Sequence, residues 1–556
     1  MSKMDSDKLL EIGFSHLKDY QKDVIEKCIK MKNGTIAMGL GSGKTITSLC
    51  YALKVMDKSE CLLWICSKTL LSNCVGEIKK FFGDSLKYII IHNEYIKDID
   101  NFKLDPSIRL VLTTSEVTSS CYKDLSVESE LVYYVIRNEG HFNQHSVCCY
   151  NRVDASLRKN TFGPGLLYST RWGCLIIDEA QNYTNVTTGK CRSLVALCAN
   201  HKWCLSGTLF SEPKVERILG YHLLIGAKFP CNLPDAKKFV ESKDFKGLNR
   251  TQIEYKEKNV PFEIVEHYVT NDMNPSEEKI YLSMKKILGD LKKKADTYKN
   301  QGDTERSRVF SAYLLAMLTY LREAIVNPLV PLATIFVNMS NLKEKTQLST
   351  IIMDHIGKLG LETYLNDENN VISSRMYNVL ETVVQCPDKI VLFTCYRTNL
   401  DILSYALAKV GRSVMTLSGD MSIKKRESVL KAFAESKDTV LLLTYSIGGE
   451  GLNLQSAHTV MFMDYDWSDS KTSQGEARVA RKGQLAKNVI VYYFISNLAI
   501  EKAIFQKQRE KMIMLREARD GPIKSKIKKI STADIINIIT SDENRVAFRD
   551  IRGMYK

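Results

Sequence analysis

Gly41, Ser42, Gly43, Lys44 and Thr45 stand in the stretch AMGLGSGKTITSLC, residues 37 to 50, at the mouth of an apolar helical pattern. Glycines let backbone N–H groups converge on a phosphate, a lysine ammonium suits the β and γ oxygens of a triphosphate, and the Thr45 hydroxyl suits a magnesium ion. The strict GxxxxGK[ST] spacing asks for glycine at position 38, where this chain has Met38, so the stretch also reads as a plain glycine turn opening a helix. Asp178 and Glu179, in CLIIDEAQNY, follow a second apolar run. That places two carboxylates at the carboxyl end of a buried strand, where ligands of open α/β sheets bind. One of them can hold Mg²⁺ through water while the other orients or deprotonates an attacking water.

These residues need a scaffold of strands and helices in alternation. GTIAM reads as a short buried strand, and Ile46, Leu49, Cys50 and Leu53 recur behind it at helical spacing. The alternation returns in CLLWICS followed by LLSNCVGEIKKFF, in IRLVLTT and in CLIIDEA, which predicts a parallel sheet. From Asn274 to Asn370 the chain turns Lys-rich and strand-poor, as in EEKIYLSMKKILGDLKKKADTYKN, and reads as a helical insert. Strand-like runs resume in KIVLFT, VLLLTY and HTVMFMDYD. The expected organisation is a first α/β lobe over 1–273, the insert over 274–370, a second α/β lobe over 371–505, and a helix with a basic tail over 506–556.

A chain of 556 residues is too long for one hydrophobic core, and 44% hydrophobic with 26% charged residues is the profile of a compact globular protein. The N-terminus lacks a long apolar run and no stretch of about 18 apolar residues is present to cross a bilayer, so the expectation is an intracellular protein with no membrane partner. Fifteen cysteines without a CxxC pair read as free thiols in a reducing compartment. Cys148 and Cys149 near His141 and His145 form the one cluster to weigh as a zinc site. The net charge of +14 suits a polyanionic partner.

With these motifs in order the chain resembles a superfamily 2 helicase-type ATPase, and within it the Swi2/Snf2 (SNF2) family of DNA translocases. LKDYQ resembles the Q motif, and the resemblance implies that Gln21 reads adenine. GLGSGKT resembles motif I, CSKTLLSNCVGEIKKFF motif Ia, LTTSE motif Ib, IIDEAQ motif II, and HKWCLSGTLF, with Ser206, Gly207 and Thr208, motif III. LREAIVNPLV resembles the family's stretch ahead of the second lobe, KIVLFTCYRTNLDIL motif IV, TYSIGGEGLNLQSAHTVMFMDYDW motif V, and QGEARVARKGQ motif VI. Gln474, Arg478, Arg481 and Gln484 keep the spacing of four, three and three that marks the last motif. Leu209 and Ser67 stand where the family usually has proline, and Ala477 and Ala480 replace Gly and His beside the motif VI arginines, which bears on loop rigidity and lobe coupling.

The resemblance implies two RecA-like lobes, ATP with Mg²⁺ held by Thr45 and Asp178, and nucleotide contacts from Gly449 and Gly451. It also implies catalysis by Glu179, Arg478, Arg481 and Gln484, the arginines meeting the γ-phosphate. Thr113, Thr114 and Thr394 at strand ends offer hydroxyls to the phosphates of a nucleic-acid backbone, or else cap the turns that follow. The segment ARDGPIKSKIKKI reads as a DNA-contacting arm, a solvated face or a targeting signal. The implied activity is ATP-driven movement on double-stranded DNA by a monomer, in the nucleus or at a viral replication site, with transcription machinery or nucleosomes as further partners. A strand-separating helicase and a non-hydrolysing scaffold are the alternatives.

Overall fold

The structure, a computed structural model, describes residues 6–38, 42–68, 70–96, 103–123, 166–186, 188–206, 214–227, 233–255, 262–340, 347–358, 364, 371–419, 421–448, 452–481, 483–520 and 532–540. It divides into two compact units: 1–260 with 450–452 and 511–526, and 261–449 with 453–510 and 527–556.

The first unit is built on seven strands: β1 Gly34–Met38, β2 Leu62–Cys66, β3 Tyr88–Ile91, β4 Leu110–Thr114, β5 Trp172–Ile177, β6 Ala199–Ser206 and β7 Gln252–Tyr255. Their order is β3-β4-β2-β5-β6-β1-β7 and every pair is parallel. Strands β1, β2, β4 and β5 are buried along their whole length, as expected of a sheet covered on both faces. Successive side chains then feed opposite cores. Leu63, Ile65, Val111, Leu175 and Ile177 join one cluster, while Leu62, Trp64, Cys66, Leu110, Leu112, Cys174 and Ile176 join the other. The helix Lys44–Val55 buries Ile46, Leu49, Cys50 and Leu53 against the second cluster.

The second unit carries β8 Glu263–Thr270, β9 Ile390–Thr394, β10 Val414–Leu417, β11 Val440–Thr444, β12 Thr459–Phe462 and β13 Asn488–Ile495, in the parallel order β10-β11-β9-β12-β13-β8. This corrects the boundary expected at 273. Strand β8 belongs to the second sheet, because all eight of its residues pair with β13. The expected insert consists, where described, of the helices Pro275–Asn300, Thr304–Ala324, Leu329–Ser340 and Gln347–Lys358. Asn274 starts the first of them: its side chain accepts from the Glu277 N–H at 2.9 Å, and Glu277 Oε2 accepts from the Asn274 N–H at 3.1 Å. The other oxygen of Glu277 accepts from the Ser374 N–H at 2.7 Å, fixing the insert to the helix Ser374–Gln385.

Within the expected basic tail lies a helix that the sequence reading did not place. Thr532–Thr540 packs along Pro275–Asn300 and buries Ile535, Ile536 and Ile539. The zinc candidates Cys148, Cys149, His141 and His145, and the basic run 521–531, lie outside the described residues. Among the described residues no group of three or more His, Cys, Asp or Glu side chains is arranged to hold a metal ion, and the described cysteines are free thiols.

Candidate active site

Strands β5, β6 and β1 are neighbours, and their carboxyl ends carry Asp178 and Glu179, Ser206, and the glycine loop. Met38, the residue that departs from the strict phosphate-loop pattern, ends β1 with its side chain fully buried. Its carbonyl accepts a hydrogen bond from Lys44 Nζ at 3.0 Å. Gly43 precedes the helix with φ +78°, a conformation that favours glycine, and a Cβ there would overlap Gln21 Nε2. Ser42 is buried, while Gly43, Lys44 and Thr45 keep partial access to solvent. Gly41 lies outside the described residues.

The loop is clamped from the helix Asp19–Met31. Gln21 Nε2 donates to the carbonyls of Ser42 and Gly43, both at 3.3 Å, and to Thr47 Oγ1 at 3.1 Å, while its Oε1 accepts from the Lys18 N–H at 2.9 Å. The amide expected to read adenine is thus engaged with the phosphate loop itself. Tyr20 adds a hydroxyl bond to the Ser42 carbonyl at 2.8 Å, and its ring stacks on Tyr255 of β7 at 4.2 Å.

Opposite charge meets like charge beside this loop. Burial first, and then the neighbouring Glu179 carboxylate, push the Asp178 carboxyl up to about 7 against the pull of Lys44. Glu179 is buried and sits at φ +48°, which only it and Lys32 adopt among the described non-glycine residues. A left-handed backbone at a bulky acid is a strained conformation, of the kind found at functional sites. Gln181 ties the carboxylate to β6: its Nε2 donates to Glu179 Oε2 at 2.6 Å, and its Oε1 accepts from the Ser206 hydroxyl at 2.7 Å. A third carboxylate, Glu77 on the helix Leu70–Phe82, also raises Asp178, and its buried Oε2 has no hydrogen-bond partner among the described residues. Asp178 follows β5 and Thr45 stands in the first turn of the helix that follows β1, and carboxylate and hydroxyl oxygens are the donor types a hard divalent cation takes, so these two residues fit Mg²⁺ by their chemistry.

The second unit positions motif VI on an aromatic ladder. Phe393, Phe462 and Tyr493 stack in sequence at 5.3 and 5.5 Å across β9, β12 and β13. The helix Asp469–Val479 lies on them through Gly475, where a Cβ would meet Phe462 at 3.0 Å and Phe393 at 3.1 Å. Arg478, on the same helix, is buried, and Arg481 beyond its end is half-buried. The Arg478 carbonyl accepts from the Leu454 N–H at 3.1 Å, linking this helix to motif V. Gln484 differs from its expected catalytic role. It is buried, its Nε2 donates to the Ala457 and Val479 carbonyls at 2.8 and 3.1 Å, and its Oε1 accepts from the Ala486 N–H, so its side chain braces the turn that carries Arg481.

The three threonines are also corrected. Each is fully buried. Thr113 Oγ1 donates to the Ile91 carbonyl at 2.8 Å, Thr114 Oγ1 accepts from the Val117 N–H, and Thr394 Oγ1 donates to Asp464 at 2.6 Å. These hydroxyls cap turns and brace strand ends and do not face a backbone phosphate. Gly207, Thr208, Leu209, Gly449 and Gly451 lie outside the described residues. Sequence reading missed Gln181, Tyr20 and Gly475 as positioning residues, although each adjoins a motif residue in the chain.

Residues 20–216 match the SNF2-related domain family, and residues 375–483 match the helicase conserved C-terminal domain family. Protein 172L of Invertebrate iridescent virus 6, which carries a helicase name, is 27% identical over 549 residues, covering 86% of this chain and 84% of the relative. Protein CHROMATIN REMODELING 25 of Arabidopsis thaliana is 24% identical over 520 residues, covering 86% of this chain and 52% of the relative. DNA repair and recombination protein RAD54 of Saccharomyces cerevisiae is 36% identical over 146 residues, covering 25% of this chain and 16% of the relative. No helix among the described residues is long and apolar enough to cross a membrane. The glycine-loop lysine and the paired carboxylates on one parallel sheet lie within the match to the SNF2-related domain family, and the arginine-bearing helix on the other lies within the match to the helicase conserved C-terminal domain family, so the chain carries an SNF2-related domain followed by a helicase C-terminal domain.

Proposed function

We propose that this chain hydrolyses ATP and uses the energy to move along double-stranded DNA. The observation that supports the chemistry is the convergence of Lys44, Asp178, Glu179 and Ser206 at the carboxyl ends of three neighbouring strands. Lys44 is the cation for the β and γ phosphates. A magnesium ion held by Thr45 and Asp178 would draw off charge from those phosphates. Glu179, fixed by Gln181, takes a proton from the attacking water, and Arg478 and Arg481 are the cationic partners of the charge that develops in transfer. Gln21 and Tyr20 hold the loop in the shape that receives the phosphates.

The duplex as track is supported by the SNF2-related domain, by relatives named for DNA repair, recombination and chromatin remodelling, and by the net charge of +14. The helicase name of the viral relative favours a second reading, separation of strands. A motor that follows phosphates leaves the duplex closed behind it, because opening a base-pair step costs on the order of 1 to 2 kcal/mol and needs an element that blocks re-annealing. The nucleus or a viral replication site is the setting that fits, with transcription machinery or nucleosomes as partners of a monomeric enzyme.

The test is a duplex carrying a triplex-forming third strand, with ATP turnover measured alongside on duplex DNA, single-stranded DNA and RNA. ATP should release the third strand while the duplex stays annealed, and Glu179→Gln should do neither. Efficient separation of the duplex, or turnover roused by RNA alone, transfers the assignment to a strand-separating helicase. Absence of turnover under every condition leaves the non-hydrolysing scaffold.

A further inference from the structure

The helix Pro275–Asn300 buries one face through Ile280, Tyr281, Met284, Ile287, Leu288 and Leu291. Beside that face runs a groove of about 520 Å³ lined by Leu282, Lys285, Lys286, Gly289, Asp290, Lys292, Lys293, Asp296 and, from the helix Thr532–Thr540, Thr540. Four of its lining side chains are lysines and two are aspartates. The lysine pairs 285/286 and 292/293 are seven residues apart, two helical turns or about 10.5 Å, which spans roughly three nucleotides at about 3.4 Å of rise per strand. Lys292 Nζ is already oriented by Asn537 Oδ1, and an ammonium has three donors, so two remain for another acceptor. Lys293 and Asp290 are exposed and 3.9 Å apart, a contact too weak to neutralise the lysine.

We propose that this groove is a second contact for the phosphate backbone of duplex DNA, apart from the helicase motifs. The inference rests on the duplex reading given above. Its lining distinguishes a nucleic acid from a protein partner. Stable protein interfaces are anchored by aromatic or large apolar side chains in a desolvated centre, and here Leu282 is the one large apolar residue of the lining. Backbone phosphates ask only for cations and hydrogen-bond donors along a groove. The contact tethers the duplex without reading its sequence, and it leaves the chemistry of ATP untouched.

The test uses the full chain, a fluorescent duplex and a salt series from about 50 to 200 mM. Wild type is compared with K285Q/K286Q/K292Q/K293Q and with the matching set of Lys→Arg changes. Each lysine that meets a phosphate contributes about 0.9 to the slope of log affinity against log salt, so the glutamine variant should be shallower by up to about 3.6. The arginine variant should keep the wild-type slope, and turnover without DNA should be the same in all three. If the quadruple variant melts early, K286Q/K293Q replaces it, with a loss of up to about 1.8. A wild type that binds duplex with a slope the glutamine variant shares overturns this groove and leaves the motor standing. A wild type that does not bind duplex overturns both. Displacement of the duplex by poly-glutamate as readily as by unlabelled duplex, lost in the glutamine variant, reassigns the groove to an acidic protein segment.

Discussion

Glu179 is held by its backbone and by its neighbour at once. The left-handed φ aims the side chain, and the 2.6 Å bond from Gln181 removes its freedom to turn away. Glu179→Gln keeps this geometry and loses the base. It should bind a fluorescent ATP analogue as wild type does and release phosphate about 10² to 10⁴ times more slowly. Gln181→Ala tests the neighbour. It leaves the base chemically intact but loose, and a misplacement of about 1 Å costs on the order of 10² in rate, so kcat should fall with little change in KM for ATP. An unchanged kcat in Gln181→Ala would show that the strained turn aligns Glu179 unaided. At this scale the residues proposed to meet phosphate are legible in the sequence, because glycine, lysine and paired acids have few substitutes. The residues that hold them are not. Gln181 and Gln21 declare their hydrogen-bond partners only when β6 and the helix Asp19–Met31 bring those partners alongside.

The seating of the motif VI helix depends on the absence of a side chain. At Gly475 an added methyl would stand 3.0 Å from Phe462 and 3.1 Å from Phe393, two rings fixed in the sheet core. Gly475→Ala should therefore lift the helix, at a cost of about 1–3 kcal/mol read from denaturant unfolding. Arg478 rides on the same helix, so turnover should drop further than stability alone explains, while ATP affinity, set by the loop on the first sheet, stays. One residue further on, Glu476 is raised to about 7, first by burial and then by Glu266 and Asp469, against a bond from the Tyr493 hydroxyl. Its folded pKa exceeds the unfolded one, so the folded state binds the extra proton and stability falls as pH rises from about 4.5 to about 7. Glu476→Gln removes that penalty. The variant should be more stable than wild type at pH 8, by about 3 kcal/mol at most, and the gap should close towards pH 4.5 in parallel melting curves. Elements with an unbroken apolar run were readable from sequence, as β1, β2, β4 and β5 show. The helix Thr532–Thr540 was not, since its three buried isoleucines acquire a partner only from a helix some 240 residues earlier.

At the scale of the molecule, the division into two α/β units was legible from the return of strand-like runs after the Lys-rich insert. The assignment of β8 was not. EIVEHYVT mixes charged and apolar residues without strict alternation and is largely exposed even in the fold, with Ile264 at 43%, so nothing local marks which sheet it joins. Its register is set from far away, Glu263 opposite Asn488 and Thr270 opposite Ile495. That pairing has a consequence for synthesis. A ribosome adding roughly 5–20 residues per second needs on the order of 10 to 45 s to reach β13 after releasing β8. The first sheet has its last described strand by Tyr255 and is free to close during that wait, whereas β8 stands without β13, its one ladder partner among the described residues. An unpaired strand invites neighbouring nascent chains, and charges along it are the usual defence. Glu263 and Glu266 are the charges that β8 carries while it waits. Glu263→Val with Glu266→Val should leave the melting temperature of protein that has folded nearly unchanged, yet shift much of the newly made chain into the pellet, a loss that slower synthesis deepens.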